Sequence, residues 1–229
     1  MNTVPPIDVL IAVYNGSRFI EEAIASIQEQ TWKNLRIIVA DDGSTDNTQT
    51  LVAAMQAHDA RIELLELPHR GVSATLNTAL AHSTAPFVAF LDADDVWAHG
   101  KLEQQMEMMQ VDSLDACFCM MEEFESFAGD GPRRFRARTS PLSGQCKSAF
   151  LGKRQLFGRY GGFDEQAAVG DFVEWFSRVV RGGHRTAVHH EVLLYRRVHD
   201  HNTTREVAKN AFLGLLKTHL DAKRKQDPQ

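Results

Sequence analysis

Proline is sparse, at 7 of 229 residues, and no low-complexity tract or collagen-like glycine period is present, so disordered and fibrous classes drop out. Cysteine is nearly missing. Cys117, Cys119 and Cys146 are an odd count without CxxC spacing, which points to reduced thiols and gives no indication of a zinc or redox pair. No run approaches the ~20 apolar residues of a membrane span. The opening MNTVPPIDVLIAVYNG lacks the basic stretch, apolar run and small-residue cleavage site of a secretory signal. The cytosol is therefore the expected location. A basic excess is also missing: 25 Lys and Arg stand against 30 Asp and Glu, for a net charge of -5, which disfavours nucleic acid as the main partner. What is present, 43% hydrophobic residues, suffices for a sizeable core in one large domain.

The apolar pattern alternates between two periods. Ile7 to Val13 is a short apolar run rich in β-branched residues, as in a strand buried on both faces of a parallel sheet. Ser17 to Gln30 carries Ile20, Ala23, Ile24 and Ile27 on one helical face. Leu35 to Ala40 predicts a second strand. Asp46 with Gln49 predicts a capping box ahead of a second helix through Leu51, Val52 and Met55. Ile62 to Leu67 and Val72 to Leu80 form a third pair, and Phe87 to Leu91 a fourth strand that ends in carboxylates. This alternation predicts a doubly wound α/β sheet whose ligand site lies beyond the carboxyl ends of the strands. Further on, Leu102, Met106 and Met109 share a helix face, Ala116 to Met121 reads as a strand, and Phe172 to Val180 as a helix stopped by Gly182 and Gly183. Gly129 to Gly144, with Arg133, Arg134, Arg136 and Arg138, reads as a loop or hairpin. Val207 to Leu220 reads as a last helix with a polar tail.

Three acidic clusters fall at strand ends or helix starts. Asp41-Asp42-Gly43-Ser44-Thr45-Asp46 follows the second strand, where a carboxylate can accept hydrogen bonds from a base or ribose. The same residues also make an ordinary turn. Leu91-Asp92-Ala93-Asp94-Asp95 places three mutually repelling carboxylates after the fourth strand, a crowding that a divalent cation would relieve. Mg2+ typically takes one or two protein carboxylates and fills its shell with water and phosphate oxygens. Asp171 opens a helix, as a cap or as a base. Tyr14 and Asn15 follow the first strand, where the ring could cover a nucleobase face. Tyr195-Arg196-Arg197-Val198-His199 could supply phosphate contacts, or form a polar loop.

Together the segments VLIAVYNG, IEEAIASIQEQT, IIVADDGSTDNT, HRGVSATLNTAL, APFVAFLDADDVW, KLEQQ, GGFDE, GDFVEW and YRRVH, in this order and spacing, resemble the family 2 glycosyltransferases of the GT-A fold. The resemblance runs from about Val9 to His199, with no matching motif between Phe124 and Phe157. It implies a Rossmann-like, mostly parallel sheet flanked by helices, with a C-terminal acceptor-side region and a terminal helix. Residues 1–112 would bind the nucleotide sugar, 113–202 would hold the acceptor and catalytic half, and 203–229 would be helix and tail of the same domain. Asp42 would contact the nucleobase, with Tyr14 stacked near it. Ala12, Asn15 and Ala93 would line the nucleotide sugar, and Arg70 is a weaker donor contact. Asp92 and Asp94 would form the family's Asp-X-Asp, with Asp94 on Mg2+ or Mn2+ and Asp92 on the ribose or a metal-bound water. Asp171 matches the general base of inverting members, and His199 a position near the diphosphate.

Several positions depart from the usual pattern: Ala12 for Pro, Leu76 for Arg, His99 for Pro, and Gly170 for the Glu that usually precedes the base. The expected activity is metal-dependent, inverting sugar transfer from a nucleotide sugar, most simply UDP-linked, to a glycan, lipid-linked or other hydroxyl acceptor. Gly170 keeps open a second class, a nucleotide-sugar-binding or interaction protein with weak catalysis. A nucleotidyltransferase ranks last, because Tyr14-Asn15-Gly16-Ser17 is not a Gly-rich phosphate loop. The Arg133 to Arg138 stretch could meet an anionic acceptor or the inner membrane surface, and the last helix could pack on the domain or pair two copies.

Overall fold

The computed structural model describes residues 4–125, 136–137, 140–167 and 170–199, with the side chains of residues 136 and 137 excepted. The alternation read from the sequence is the architecture observed. Strands β1 (Ile7–Val13), β2 (Leu35–Asp41), β3 (Ile62–Glu66) and β4 (Phe87–Phe90) alternate with helices α1 (Ile20–Gln28), α2 (Thr48–His58) and α3 (Val72–His82). After β4 come β5 (Val96–Trp97), α4 (Lys101–Val111), β6 (Ala116–Glu125), β7 (Arg136–Ala137) and β8 (Leu142–Ser143). A 3-10 turn at Lys147–Ala149 follows, then β9 (Leu151–Lys153), α5 (Gln155–Tyr160), α6 (Asp171–Arg181) and β10 (Thr186–Val198).

The strands join one sheet in the order β3-β2-β1-β4-β9-β6-β10-β5, with β7 and β8 paired to β6. The first four are parallel, because each is reached through a helical crossover. β9 enters antiparallel to both β4 and β6, and β6 pairs in parallel with β10. The chain builds outward from β1 to β3, then returns to place β4 on the other side of β1. The order therefore reverses at the carboxyl ends of β1 and β4, where open α/β sheets bind their ligands.

Continuous apolar runs become central strands because they can be buried on both faces. Ile7, Val9, Leu10 and Ile11 of β1 and Ile37, Ile38, Val39 and Ala40 of β2 are fully buried, and Ile20, Ala23, Ile24 and Ile27 of α1 belong to the same core. The KLEQQ segment serves this core. Lys101 is buried with its ammonium over the Trp97 ring and donating to Gln105 Oε1 at 2.7 Å, and Gln105 Nε2 donates to the Ala149 carbonyl at 2.9 Å. Burial pushes the Lys101 amine down to about 8. All three cysteines are free, and burial pushes Cys117 up to about 11 and Cys146 up to about 12, consistent with inert thiols.

The structure alters three expectations. The capping box does not form: the helix is capped at Asn47, Asp46 accepts the Thr48 N–H at 3.0 Å from one residue further out, and Gln49 turns away and donates to Asp41 Oδ1 at 2.7 Å. Tyr195 to Val198 is not a loop, since the last strand runs through Val198. Within Gly129 to Gly144, residues 136–137 and 142–143 pair antiparallel with β6. Arg133, Arg134 and Arg138, and the last helix from Val207 to Leu220 with its proposed pairing of copies, lie outside the described residues.

Asp8 on β1 is buried near the amino end of the sheet and accepts from Arg36 Nε and Nη2 at 3.0 Å each, Ser83 Oγ at 2.7 Å, and the Thr84 and Ala85 N–H groups. Desolvation opposes its ionisation, but Arg36 and the other donors outweigh that cost and lower its pKa below 3.8. The lowered pKa contributes stability that is present above the unfolded value and lost as pH falls through the folded one. Asp8→Asn should cost about 2 kcal/mol at pH 7, a melting decrease of about 4–8 °C. Thermal scans should show this gap narrowing as pH falls below 3.8 and through the lower folded value, because the charge that distinguishes the two proteins is then lost.

Candidate active site

The carboxyl ends of β1, β2 and β4 present the predicted residues together. Asp42 donates its N–H to the Val13 carbonyl at 2.8 Å, which ties the end of β2 to that of β1. Its carboxylate is buried and saturated: Oδ1 accepts from the Arg70 N–H and Thr75 Oγ1 at 2.8 Å each, and Oδ2 lies 2.9 Å from the Gly71 N and from His69 Nδ1. Asp42 thus organises the entry to α3 as well as marking the crevice. Negative charge at this helix N-terminus is favoured by the macrodipole. Tyr14, nearly half exposed, stacks on His69 with ring centroids 4.2 Å apart. His69 was not among the residues singled out from the sequence. Its only signal was its place at the head of the HRGVSATL segment.

Asn15 sits at φ 51, a conformation that Asn tolerates, and its Oδ1 accepts the Thr45 N–H at 2.8 Å while its own N–H donates to Ser44 Oγ at 2.8 Å. It brackets the DDGSTD turn against β1. Ala12 and Ala93 are partly buried and pack on the core, so each can offer a ligand only its main chain and methyl. Arg70 meets Asp42 through its backbone, while its exposed guanidinium pairs with Glu165 at 3.0 Å.

The acidic motif divides its labour. Asp92 is open to solvent on one side, and its N–H donates to the buried Ser148 hydroxyl at 3.1 Å. Crowding by protein desolvates its carboxyl and raises its pKa. The charge of Asp94 adds to this, while Lys147 pulls the other way. Asp94 lies 2.9 Å from His199 Nε2, and His199 packs on Phe19. Asp95 turns inward, buried, and accepts the Arg197 N–H at 3.0 Å. Desolvation and the charges of Asp94 and Asp92 push it well above the usual carboxylate range.

Arg197 does not supply a phosphate contact of the kind first expected. Only 3% exposed, it is held between the rings of Phe19 and Phe124. Its Nε donates to the Asp94 carbonyl at 2.8 Å and its Nη2 donates to Glu22. It clamps the acidic loop to β10 and α1. Arg196 pairs with Glu123 at 3.5 Å.

Asp171, 6% exposed, opens α6. Its Oδ2 accepts from Ser73 Oγ at 2.9 Å, its Oδ1 accepts the Phe172 N–H at 2.8 Å, and Lys147 Nζ lies 3.3 and 3.4 Å from the two oxygens. Ser73 is in the first turn of α3, two residues from Gly71, so one helical turn holds both Asp42 and Asp171. Neither Ser73 nor Lys147 was recognised from sequence. Lys147 falls in the stretch that matched no motif.

GGFDE and GDFVEW fix the height of Asp171. Asn77 closes a two-way bond with the Phe163 backbone, accepting its N–H at 2.8 Å and donating to its carbonyl at 2.9 Å. A Cβ on Gly162 would lie 2.2 Å from Asn77 Oδ1, so a larger residue there would push Asn77 out of this bond. Trp175 donates to the Gly161 carbonyl at 3.0 Å and stacks on Phe157 at 4.0 Å, joining Phe90, Phe150, Phe163 and Phe172 in one aromatic cluster.

This fold and arrangement have known counterparts. The chain belongs to Glycosyl transferase family 2, whose family model matches residues 8–163. It is 38% identical over 104 residues to the Escherichia coli UDP-Glc:alpha-D-GlcNAc-diphosphoundecaprenol beta-1,3-glucosyltransferase WfgD, covering 45% of this chain and 40% of that protein. Among solved structures, the Pyrobaculum calidifontis mannosyltransferase PcManGT in complex with GDP-Man and Mn2+ superimposes with a TM-score of 0.74 at 23% identity, over 98% of this chain and 65% of that one. S. aureus TarS 1-349 in complex with UDP-GlcNAc gives 0.71 at 19% identity, over 88% of this chain and 61% of that one. The fold is thus that of the GT-A glycosyltransferases. The chain spans less than half the length of the E. coli relative.

Gly170, at φ 80, supplies the left-handed residue that starts α6. Restoring the more usual glutamate there, Gly170→Glu, should strain the backbone by about 1 kcal/mol or more and lower the melting temperature by a few degrees. Gly170→Asn, which tolerates this region, should lower it less. Equal melting of all three proteins would contradict the backbone account.

Proposed function

We propose that the chain transfers a sugar from a nucleotide-sugar donor, UDP-linked, to an acceptor hydroxyl with inversion at the anomeric carbon. The observation that carries this reading is the single turn of α3 that holds Asp42 and Asp171, beside the acidic motif at the point where the strand order reverses. Family membership supports sugar transfer, and the donor named for the E. coli relative supports a uridine nucleotide.

In this reading Tyr14 and His69 present a ring face to the base, and the backbone around Ala12, Asn15, Asp42 and Arg70 frames the nucleoside. The donor set suits Mg2+ or Mn2+. Asp92 and Asp94 are crowded carboxylates, one of them solvent-open, as suits a hard cation that keeps water and phosphate oxygens in its shell. Such a hard cation, held by one or two carboxylates with phosphate oxygens and water, would offset the charge that develops on the departing diphosphate. Ala93 spaces the two carboxylates, His199 orients Asp94, and Arg197 with Asp95 holds the loop. Asp171 accepts the proton of the attacking acceptor hydroxyl.

The acceptor is a hydroxyl on a glycan or a lipid-linked carrier, by analogy with the diphosphoundecaprenol-linked acceptor in the relative's name. That acceptor would bring the enzyme to the inner face of a membrane as a peripheral protein. Among the described residues no helix is long and apolar enough to cross a membrane. A catalytically weak interaction protein is the less favoured reading, because Asp171 keeps a dedicated set of buried partners.

Asp171→Asn tests the assignment. Turnover should fall about 10²- to 10⁴-fold while nucleotide binding is not weakened. Loss of binding in step with turnover would contradict the role given to Asp171.

A further inference from the structure

Among the described residues Lys147 is the one cation that contacts the proposed base, and no sequence motif announced it. An ionised carboxylate has about four acceptor directions. At Asp171, Ser73 Oγ takes one at 2.9 Å and the Phe172 N–H another at 2.8 Å, and Lys147 spans the remaining two at 3.3 and 3.4 Å. The carboxylate is fully subscribed, with nowhere for an acceptor hydroxyl to bind. One donor must leave before Asp171 can take a proton.

Geometry selects the one that leaves. Ser73 is buried in the first turn of α3 on a single rotatable bond and the Phe172 N–H is main chain of α6, so both have far less freedom than the lysine. The lysine contacts are longer than the ~2.7–2.9 Å of a tight charge-assisted bond, and its stem has four rotatable carbons. Its backbone, by contrast, is anchored. The neighbouring Ser148 accepts the Asp92 N–H, and the Ser148 carbonyl accepts from the Trp97 indole at 2.8 Å. The ammonium can therefore pivot about a fixed point beside Asp92, whose carboxyl already feels its charge.

We propose that Lys147 is a gate on Asp171: it occupies the carboxylate in the donor-free enzyme and is drawn away by the diphosphate of a bound donor, freeing the base only when the donor is in place. This rests on the nucleotide-sugar reading above and adds an order of events to it. Asp171 and the diphosphate then compete for one ammonium, so weakening either claim strengthens the other.

Calorimetric titration with UDP, UMP and uridine in the presence of Mg2+ tests the gate on wild type, Lys147→Met, Lys147→Arg and Asp171→Asn. Lys147→Met should bind UDP at least ten-fold more weakly, with uridine within two-fold of wild type, and Lys147→Arg should keep most of the UDP affinity. Asp171→Asn, which releases the lysine, should bind UDP several-fold more tightly and uridine unchanged. A Lys147→Met protein that binds UDP like wild type, or loses uridine equally, overturns the gate. So does an Asp171→Asn protein with unaltered UDP affinity. Wild type that binds none of the three overturns the nucleotide reading itself, and the gate with it. Should Lys147→Met fail to fold, ¹³C-dimethylation of the lysines of the wild-type protein provides the same decision. The signal absent from Lys147→Arg should shift with UDP and not with uridine, and a signal unmoved at saturating UDP overturns the proposal.

Discussion

The first turn of α3 is the constraint on which the site depends. The backbone N–H groups of residues 70 and 71, just ahead of this turn, and its Thr75 hydroxyl converge on Asp42, and Ser73 in the same turn reaches Asp171, ninety-eight residues away in the chain. A helix N-terminus has unsatisfied donors and a partial positive charge, so it is a natural meeting place for two carboxylates that would otherwise repel. Because both are bonded to one rigid turn, the nucleotide end and the chemical end of the proposed site keep a fixed separation.

The rest of the molecule supports that turn from two directions. On one side, β1, β2 and β4 are buried on both faces, so their carboxyl ends are rigid and the motifs that follow them cannot drift. On the other, the aromatic cluster around Phe150 and Trp175 and the two-way bond between Asn77 and Phe163 lock α6 to α3. The acidic loop needs a separate device. Three carboxylates in four residues are held by turning Asp95 inward and by Arg197, which bonds both to this loop and to α1.

Much of this was legible in the residues. Short uninterrupted β-branched runs fit central strands, β2 ends at Asp41 and β4 is followed within two residues by the acidic loop, so the placement of Asp42, Asp92 and Asp94 at the carboxyl edge of the sheet followed from pattern. Asp171 needed the resemblance, since a lone Asp before an apolar helix reads equally well as a cap. The missed residues share one property: their meaning is a long-range contact. His69 matters because Tyr14 lies over it, and Lys147 because Asp171 and Asp92 flank it. Arg197 looked like a phosphate contact because YRRVH is polar, and only the rings of Phe19 and Phe124 reveal it as a buried clamp. Gln49 matched the capping pattern, but the buried Asp41 carboxylate competed for its amide and won.

The central claim is that the carboxyl ends of β1, β2 and β4 form one metal-assisted nucleotide site. The most direct measurement is thermal unfolding of wild type and Asp94→Ala with UDP, GDP, dTDP or CMP, each with and without Mn2+. A ligand at about 100 times its dissociation constant adds about 2.7 kcal/mol of stability, which at this size is a rise of several degrees. The account predicts a rise with UDP that depends on Mn2+ and disappears in Asp94→Ala. No rise with any nucleotide, or a rise indifferent to both Mn2+ and the substitution, would contradict it.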